Sequence, residues 1–299
     1  MENFLNNSSF FLLLCSMTFY WMRAFLNFSI FAHFGKLTIL SAQLIMFFLL
    51  IYRGIGEHHF PLSNIFLSWG LTIIHLILEA HLSELLIGAV TAPTALFLNA
   101  FASFQLPASF QKFHPLIPAL QSNWLMMHVT VMLLSYATLL SGCLLSIAFL
   151  FFNVVGRSIF QIPTRFSSGP LYLSDTNKRS TVPIKTAFYA TKKTQLLTKL
   201  DQLSFRAIGI GFPLLTLGIL SGSVWANEAW GSYWNWDPKE TWSLITWLIF
   251  AIYLHLRFTQ NWKGWKSAML ATLGFFVVWI CFLGVNFVSK GLHSYGWFH

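Results

Sequence analysis

The chain alternates between long apolar runs and shorter polar connections, and this alternation predicts its elements. An apolar helix needs about 20 residues to cross a bilayer. Eight runs approach or exceed that length, at about residues 10–31, 37–52, 62–78, 85–104, 124–154, 208–224, 242–256 and 268–288. The pattern predicts an all-α polytopic membrane protein with about eight transmembrane helices.

Two polar connections interrupt the apolar pattern. The first, residues 105–123, contains three prolines. The second, residues 156–204, is the one extended hydrophilic segment and carries eight Lys or Arg against two Asp. Its Ser, Thr and Pro content predicts a loop, with one short basic helix near residues 191–203. We therefore divide the chain into N-terminal membrane helices at 1–117 and a core at 118–299, which the basic segment interrupts.

The composition agrees with a membrane protein and excludes other classes. Hydrophobic residues make up 56% of the chain and charged residues 9%, whereas a soluble domain carries about 25% charged residues. Soluble enzymes and secreted disulfide scaffolds are therefore excluded. The three cysteines form no CxxC pair, so neither a dithiol redox centre nor a thiolate metal site is indicated. No basic segment precedes the first apolar run, and we expect no cleavable signal peptide.

The location of the basic residues predicts the orientation in the membrane. The net charge of +9 comes mostly from connections on one face, namely the segment 156–204, Lys36 after the first run, and Arg257, Lys263 and Lys266 after the seventh. Basic connections stay on the cytoplasmic or stromal side. This charge is therefore a topology signal and does not indicate a nucleic-acid partner. Both termini and the connection between the sixth and seventh runs then lie on the opposite, trans side.

Arg23 is difficult to place because it falls within the first predicted span. A charge at the middle of a bilayer costs at least about 2.5 kcal/mol. Either Arg23 faces the helix bundle, or the bounds of this span are wrong.

Residues 225–242, WANEAWGSYWNWDPKETW, connect the sixth and seventh runs, and we call them the tryptophan segment. Five of the thirteen tryptophans are here, namely Trp225, Trp230, Trp234, Trp236 and Trp242. An indole suits a membrane–water interface, but an ordinary aromatic belt explains only one or two per span end. Their density, together with Tyr233, Gly231 and Asn235, favours a surface that lies against a large flat ligand. We interpret this ligand as haem.

The tryptophan segment also contains a helix start. Asp237, Pro238 and Glu240 occupy the positions of an N-cap, a first helical residue and the third residue of a capping box. The carboxylates are therefore interpreted first as capping groups of the seventh span. Lys239 lies at the same helix N-terminus, which itself favours anions, and is a candidate partner for a haem propionate.

Histidines supply candidate ligands for a haem iron. His128 lies about one turn into the fifth span and His293 just past the eighth, both on the face of the tryptophan segment. Neutral imidazoles from two helices give bis-histidine ligation. His255 follows Thr241 by fourteen residues, so it lies roughly 20 Å deeper and cannot bind the same iron. It is either a core residue or a ligand at a second site, and His75, deep in the third span, is interpreted as a packing residue.

Several segments resemble a known family. Residues 230–241, WGSYWNWDPKET, resemble the WWD domain of haem-handling proteins. The neighbouring ILSGSVWANEAW and AIYLHLR, the upstream PALQSNWLMMHV and the closing GVNFVSKGLHSYG resemble the CcsA family of cytochrome c biogenesis proteins, found in chloroplasts, cyanobacteria and some other bacteria. The resemblance covers about half of the chain, from Pro118 onward without the basic segment, whereas the N-terminal third matches poorly.

The resemblance implies a site and a function. His128 and His293 match the two lumenal haem ligands of the family, and His255 matches a ligand within the membrane whose opposite ligand belongs to a partner subunit, CcsB. Haem b would reach the lumenal side and be presented for thioether attachment to the CxxCH motif of apocytochrome c. Separate proteins would reduce the thiols, which agrees with the missing CxxC pair. The implied location is the thylakoid membrane of a chloroplast, or the thylakoid or plasma membrane of a cyanobacterium.

The expected haem site has ten residues, and none is assigned a catalytic role. They are His128, His255, His293, Trp225, Trp230, Tyr233, Trp234, Trp236, Asp237 and Lys239, with the three histidines as metal ligands. The protein would act as a subunit of a haem-attachment complex of the holocytochrome c synthase type. The alternative hypothesis is a multi-span transporter in which histidines relay protons and the tryptophan segment gates a pathway. That function requires ionisable residues at several mid-membrane positions, and apart from Arg23 and His75 the sequence contains few.

Overall fold

The computed structural model describes residues 1–26, 28, 30–57, 64–81, 86–105, 122–159 and 184–285. Within them, eight α-helices follow one another: α1 (Glu2–Leu26), α2 (Ile30–Glu57), α3 (Asn64–His81), α4 (Leu86–Ala100), α5 (Asn123–Ile159), α6 (Ile184–Trp230), α7 (Pro238–Thr259) and α8 (Trp265–Trp279). Two of them continue into π-helical turns, α4 at Phe101–Gln105 and α8 at Ile280–Gly284. The part of the chain that the structure describes contains no strand.

Six of these helices are long and apolar enough to cross a membrane, namely α1, α2, α5, α6, α7 and α8. The other two are shorter, with 18 residues in α3 and 15 in α4. The prediction of an all-α polytopic membrane protein is therefore confirmed. The predicted number of eight spans agrees with the eight described helices, of which six meet the length and hydropathy of a span on their own.

Polar contacts show that consecutive helices of the N-terminal half are antiparallel. Arg53 near the end of α2 pairs with Glu2 at the start of α1, with 2.7 Å between nitrogen and oxygen. Ser68 of α3 donates to the carbonyl of Ala95 in α4 at 2.9 Å. The amide of Asn99, late in α4, donates to the Ser9 hydroxyl, early in α1, at 3.3 Å. The start of α1 and the ends of α2 and α4 therefore lie at the same end of the bundle.

The C-terminal helices follow the same alternation. Ser135 of α5 donates to the carbonyl of Gly211 in α6 at 2.9 Å, and Trp247 of α7 donates through its indole to Thr216 of α6, also at 2.9 Å. Phe97 of α4 packs edge-on against Trp279 near the end of α8, with 5.5 Å between ring centroids. This contact places the start of α1 at the same end of the bundle as the residues between α6 and α7.

The two ends differ in charge, and we name them accordingly. The loop end holds the connection 231–237, the start of α1 and the start of α5. The basic end holds the end of α7, the start of α8 and the N-terminal part of α6, with Lys193, Lys199, Arg257, Lys263 and Lys266. Glu2, Glu228, Asp237 and Glu240 lie at the loop end, whereas Asp201 lies at the basic end, where it pairs with Arg257. The concentration of Lys and Arg at one end is the asymmetry that the connections predicted from sequence.

The α5 helix lies at the centre of the bundle. In the most apolar 18-residue stretch of α5, 61% of the residues are buried. The corresponding stretches of the other five candidate spans are 22–39% buried. It packs against α3, α6 and α8, and its buried side chains Tyr136, Leu140 and Cys143 join one core cluster with residues of both halves of the chain. The predicted division at residue 117 falls outside the described residues and stays a prediction. Because α5 is held on several sides, a side chain on it has a fixed position relative to the neighbouring helices.

Two predicted boundaries were wrong. The first span was expected at residues 10–31, but α1 covers Glu2–Leu26, so Arg23 lies in its last turn at the basic end and not at mid-membrane. The basic segment 156–204 was expected to be a loop with one short helix. Instead α5 continues to Ile159, and residues 184–204 form one unbroken helix with the sixth span. Lys, Leu and Gln are good helix formers, and Leu200 is buried against α5, so packing extends this helix beyond the apolar run.

The cysteines and His75 are structural residues in the described bundle. All three cysteines are free, with Cys143 and Cys281 buried. His75 is 1% exposed, and its Nδ1 hydrogen-bonds Thr91 at 2.5 Å while its Nε2 hydrogen-bonds the Tyr20 hydroxyl at 3.1 Å. The Tyr20 hydroxyl also donates to Glu79 at 3.0 Å. These contacts agree with the packing interpretation of His75 and connect α1, α3 and α4.

Candidate functional site

Most of the tryptophan segment is helical, and only seven residues form the connection. The α6 helix extends to Trp230 and ends at Gly231, which has a φ of +75° and a backbone N–H that donates to Asn227 at 2.9 Å. Glycine suits this left-handed position because it has no β-carbon. The α7 helix begins at Pro238. Residues 231–237 therefore form a short loop whose two ends are anchored on helices.

The predicted capping box at the start of α7 is confirmed. The Asp237 carboxylate accepts the backbone N–H of Lys239 at 3.2 Å. The Glu240 carboxylate accepts two backbone N–H groups through one oxygen, that of Asn235 at 2.8 Å and that of Asp237 at 3.2 Å. Both carboxylates are buried, with 7% of Asp237 and 8% of Glu240 exposed. They are therefore occupied in holding the loop and the helix start.

Trp236 is the most unusual residue of the loop. Its φ is +58°, in the left-handed region that a bulky side chain rarely adopts. The two N–H groups on either side of it, those of Asn235 and Asp237, both donate to Glu240, which holds the backbone in this conformation. Its indole is 70% exposed. Strain of this kind concentrates at functional sites, and here it directs an aromatic ring outward from the loop end.

The five tryptophans do not lie in one plane. Trp225 is 2% exposed and meets Trp230 edge-to-face, with 4.8 Å between ring centroids. Trp234 and Trp236 are also perpendicular, at 6.0 Å and 88°. Trp242 packs against the core of the bundle. The inner indoles therefore support the loop, and the large rings that project outward are those of Trp236 and Tyr233, which are 70% and 60% exposed.

His128 lies at the loop end, on the side of α5 that faces α6. Its Nδ1 is 2.6 Å from the carbonyl oxygen of Gly218. A carbonyl oxygen only accepts, so Nδ1 carries the proton and Nε2 keeps its lone pair. The imidazole packs directly on Gly222, one turn further along α6. The predicted ligand is therefore held by α6 close to the loop, with Nδ1 on the carbonyl and Nε2 on the opposite edge of the ring.

A second contact joins the helices that flank the site. Ser122 precedes α5, and its hydroxyl accepts the backbone N–H of Trp124 at 3.2 Å. The same hydroxyl donates to Glu228, near the end of α6, at 2.7 Å. This contact holds the start of α5, which carries His128, against the last turns of α6, which lead into the loop. Neither Ser122 nor Glu228 was expected from sequence to contribute to the site.

The remaining predicted site residues are placed as follows. Lys239 is half-buried in the first turn of α7 and lies close enough to Asp237 for their charges to interact. His255 lies in the second-to-last turn of α7, near the basic end. Its side chain is exposed on the outside of the bundle. The structure therefore separates His255 from His128, as the helical rise predicted. His293 lies outside the described residues.

A buried ion pair at the basic end holds the three last helices together. The Arg257 guanidinium of α7 makes two parallel contacts with the Asp201 carboxylate of α6, at 2.8 and 2.7 Å. It also donates to Ser267 of α8 at 2.9 Å and lies 4.8 Å from the ring centroid of Phe205. Asp201 accepts the Gly264 N–H at 3.1 Å. Sequence reasoning treated Arg257 and Asp201 only as loop charges.

Sequence inspection could have found part of what it missed. Gly218 and Gly222 are four residues apart on α6, the spacing that lets two membrane helices approach closely. This spacing could have predicted that another helix packs closely against α6. The Ser122–Glu228 and Arg257–Asp201 contacts join residues 106 and 56 positions apart. No local pattern shows which distant residue each contacts, so the helix packing was needed to find them.

Within the described residues, no group of three or more His, Cys, Asp or Glu side chains is placed to hold a metal ion. Among the described residues, the loop end offers the His128 imidazole together with aromatic rings and the half-buried Lys239.

The fold and site define a class: a polytopic helical membrane protein with a histidine and a strained aromatic loop at one membrane face. Residues 58–293 match the family described as Cytochrome C assembly protein. The chain belongs to this family. It is 50% identical over 303 residues to the cytochrome c biogenesis protein CcsA of Mesostigma viride, a match that covers 99% of this chain and 97% of the relative.

Other relatives give the same result. The CcsA proteins of Microcystis aeruginosa and Marchantia polymorpha are 47% and 48% identical to this chain, over 322 and 313 residues. The matches cover 100% and 99% of this chain, and 98% of each relative. The similarity therefore includes the N-terminal third, which matched poorly by inspection.

Family membership assigns the protein to cytochrome c biogenesis and makes it a multi-pass membrane protein with relatives in chloroplast-bearing organisms and cyanobacteria. Assembly of c-type cytochromes involves haem, the apocytochrome and other assembly components, so the protein works among these molecules. Of the two hypotheses drawn from the sequence, the comparisons favour cytochrome c biogenesis over a proton-coupled transporter.

Proposed function

We propose that this protein holds haem b at the loop end of the bundle and presents it for thioether attachment to apocytochrome c. The observation that supports this most strongly is the geometry of His128, which lies near the loop and whose Nδ1 donates to the Gly218 carbonyl at 2.6 Å, so that Nε2 is the nitrogen that can bind a metal. A metal-binding histidine commonly donates its other N–H to a backbone carbonyl in this way. His293 is proposed as the second axial ligand.

The residues at the loop end fit a haem. Gly222 has no β-carbon where the His128 ring packs, so the imidazole fits between α5 and α6. Trp236 presents an exposed indole from a held backbone, and a porphyrin face stacks well on such a ring. Lys239, at the positive N-terminus of α7, suits a propionate. Asp237 belongs to the same turn, where its carboxylate orients the Lys239 backbone.

The protein's contribution is to bind, orient and present. When bound, haem supplies the iron and the vinyl groups with which cysteine thiols form thioethers. His128 would hold the haem through Nε2, and the exposed rings of Trp236 and Tyr233 would define the side from which the apocytochrome approaches. Holding the reactive edge and the incoming thiol in one geometry replaces a slow bimolecular encounter. The CxxCH segment would bring its own histidine, so either His128 or His293 would have to give up its place to it.

The proposed orientation has the loop end on the lumenal side of a thylakoid membrane. Its support is the concentration of Lys and Arg at the opposite end of the bundle. In a cyanobacterium the thylakoid or plasma membrane would be the corresponding location. The start of α1 and the connection 231–237 would then both be lumenal.

Partners are proposed from the same arrangement. His255 is exposed on the outer surface of α7, about 20 Å from the loop end. An imidazole that faces lipid without a polar partner is unfavourable, so a partner is expected there. We assign it as a haem ligand whose opposite ligand comes from a CcsB-type membrane subunit. The complex would act with separate thiol-reducing proteins as a holocytochrome c synthase-type assembly.

The test is the absorption spectrum of the protein purified in detergent with its membrane partner. We expect a Soret band with the split visible bands of bis-histidine haem.

His128→Ala and His293→Ala should each abolish holocytochrome c formation, and added imidazole should partly restore it. His33→Ala, in a residue exposed near the start of α2 at the basic end, is the matched control and should change neither readout. A colourless preparation, or normal cytochrome assembly in both ligand variants, would reject the proposal.

A further inference from the structure

The helices α5 and α6 pack most closely where His128 meets α6. A β-carbon built on Gly222 would lie 2.5 Å from Cε1 and 3.2 Å from Cγ of His128, and closer still to Nδ1. No real β-carbon tolerates such a contact, so any residue other than glycine at this position must move the imidazole. The ring is therefore seated against the backbone of α6.

The hydrogen bond explains why the ring cannot simply turn away. Nδ1 donates to the Gly218 carbonyl at 2.6 Å, and this oxygen also accepts the Ser221 hydroxyl at 3.0 Å. Rotating the imidazole to escape a methyl group at position 222 would break the bond from Nδ1. It would also leave an N–H without its acceptor inside the bundle, which is unfavourable in an apolar environment.

We propose that Gly218 and Gly222 are positioning residues that fix the tautomer and ring plane of His128, so that Nε2 is the nitrogen that binds haem iron. This inference rests on the proposed function and extends it. The Gly218 carbonyl keeps the proton on Nδ1 and makes the opposite nitrogen a stronger ligand, as outer hydrogen bonds to metal-bound histidines do. The missing side chain at Gly222 supplies the space that this orientation requires.

The first experiment compares Gly222→Ala with Gly209→Ala in the complex with the membrane partner. Both changes lie in α6 and exchange glycine for a better helix former. A β-carbon at Gly209 would meet nothing within 4 Å. We expect Gly222→Ala to weaken haem retention by about tenfold or more, the usual effect of disturbing a partner of a metal-bound histidine. Its bis-histidine bands should also diminish, whereas Gly209→Ala should behave like the unmodified protein.

A second experiment covers the case in which Gly222→Ala perturbs folding. In His128→Ala the seat of the imidazole is vacant, and added imidazole should enter it, donate to the Gly218 carbonyl and bind iron. In the double variant His128→Ala with Gly222→Ala, the new methyl group occupies that seat without a clash. Imidazole should then restore the haem spectrum at least about tenfold less effectively, at an unchanged melting temperature.

The outcomes separate this inference from the proposed function. If His128→Ala retains haem with an unaltered spectrum, the proposed function itself is wrong. If His128→Ala loses haem while Gly222→Ala retains the spectrum and affinity of the unmodified protein, His128 is a ligand but Gly222 does not position it. Equal rescue of the single and double variants by imidazole would likewise overturn the inference, because the methyl group would then not occupy the imidazole's seat.

Discussion

A single carboxylate, that of Glu240, controls the geometry of the exposed part of the site. One of its oxygens accepts the backbone N–H groups on both sides of Trp236, at 2.8 and 3.2 Å. This arrangement keeps Trp236 at a φ of +58° although an L-residue loses about 1–2 kcal/mol in the left-handed region. The protein therefore gives up stability at this residue in order to present an indole at the loop end.

Substitution of Trp236 should change stability and haem binding in different ways. Trp236→Gly removes the unfavourable φ and little buried surface, so we expect the free energy of unfolding to stay the same or rise by up to about 1 kcal/mol. Haem retention should fall, because the exposed ring is lost. Trp236→Phe keeps an aromatic ring and should retain most of the haem. Detergent melting curves and the Soret absorbance of each variant measure the two quantities, and haem retention by Trp236→Gly equal to that of Trp236→Phe would contradict this role.

At the scale of elements, the bundle is held differently at its two ends. At the loop end α5 and α6 meet through Gly218, Gly222 and the Ser122–Glu228 hydrogen bond. At the basic end a buried guanidinium joins α6, α7 and α8 through the Arg257–Asp201 pair. Because α6 participates in both, the position of His128 depends on packing along its whole length. His255 lies two residues from Arg257, so the same pair also fixes the helix that carries it.

Breaking the Arg257–Asp201 pair on one side should destabilise the bundle strongly. Asp201→Ala leaves the buried Arg257 charge without its carboxylate, which costs about 3–5 kcal/mol in comparable buried pairs. The double variant Asp201→Leu with Arg257→Met removes both charges and should recover most of this loss. Glu2→Gln, which breaks the more exposed pair with Arg53, is the control and should cost about 1 kcal/mol or less. Thermal unfolding in detergent measures all three, and a double variant as unstable as the single one would contradict the expectation.

At the scale of the whole molecule, the alternation of helices and the charge asymmetry define one polar axis. The start of α1 and the connection 231–237 lie at one end, and the connection between α7 and α8 lies at the other. The proposed presentation of haem at one membrane face would use this polar axis. Two candidate haem positions, at His128 and His255, lie along the same axis.

Labelling from one side of a sealed membrane vesicle tests this axis. In a background without Cys15, the remaining Cys143 and Cys281 are buried and should not react. Asn3→Cys and Asn235→Cys should react with a membrane-impermeant maleimide only after the lumen is opened. Gln260→Cys, at the basic end, should react without opening. Labelling of Asn3→Cys and Asn235→Cys from opposite sides would contradict the described bundle, and labelling of both from outside would reverse the proposed orientation.

The sequence predictions were accurate for features that depend on nearby residues and less accurate for features that depend on distant ones. The centres of the apolar runs located the eight described helices, and the capping box at Asp237 was predicted to the residue, because both depend on neighbours within a few positions. The helix ends were less accurate. Leu200 packs against α5 and extends α6 back to Ile184, and the basic composition of this stretch gave no sign of that contact.

What the sequence alone determined is the class of protein, its alternating topology, the family and the candidate ligands, since hydropathy, charge and short motifs are properties of local stretches. Only the tertiary structure decided which nitrogen of His128 donates to Gly218, that Trp236 projects while Trp225 is buried, and that Arg257 pairs with Asp201. These features depend on the distance and rotation between helices that are far apart in the chain. Side-chain packing sets those quantities, and no single segment contains them.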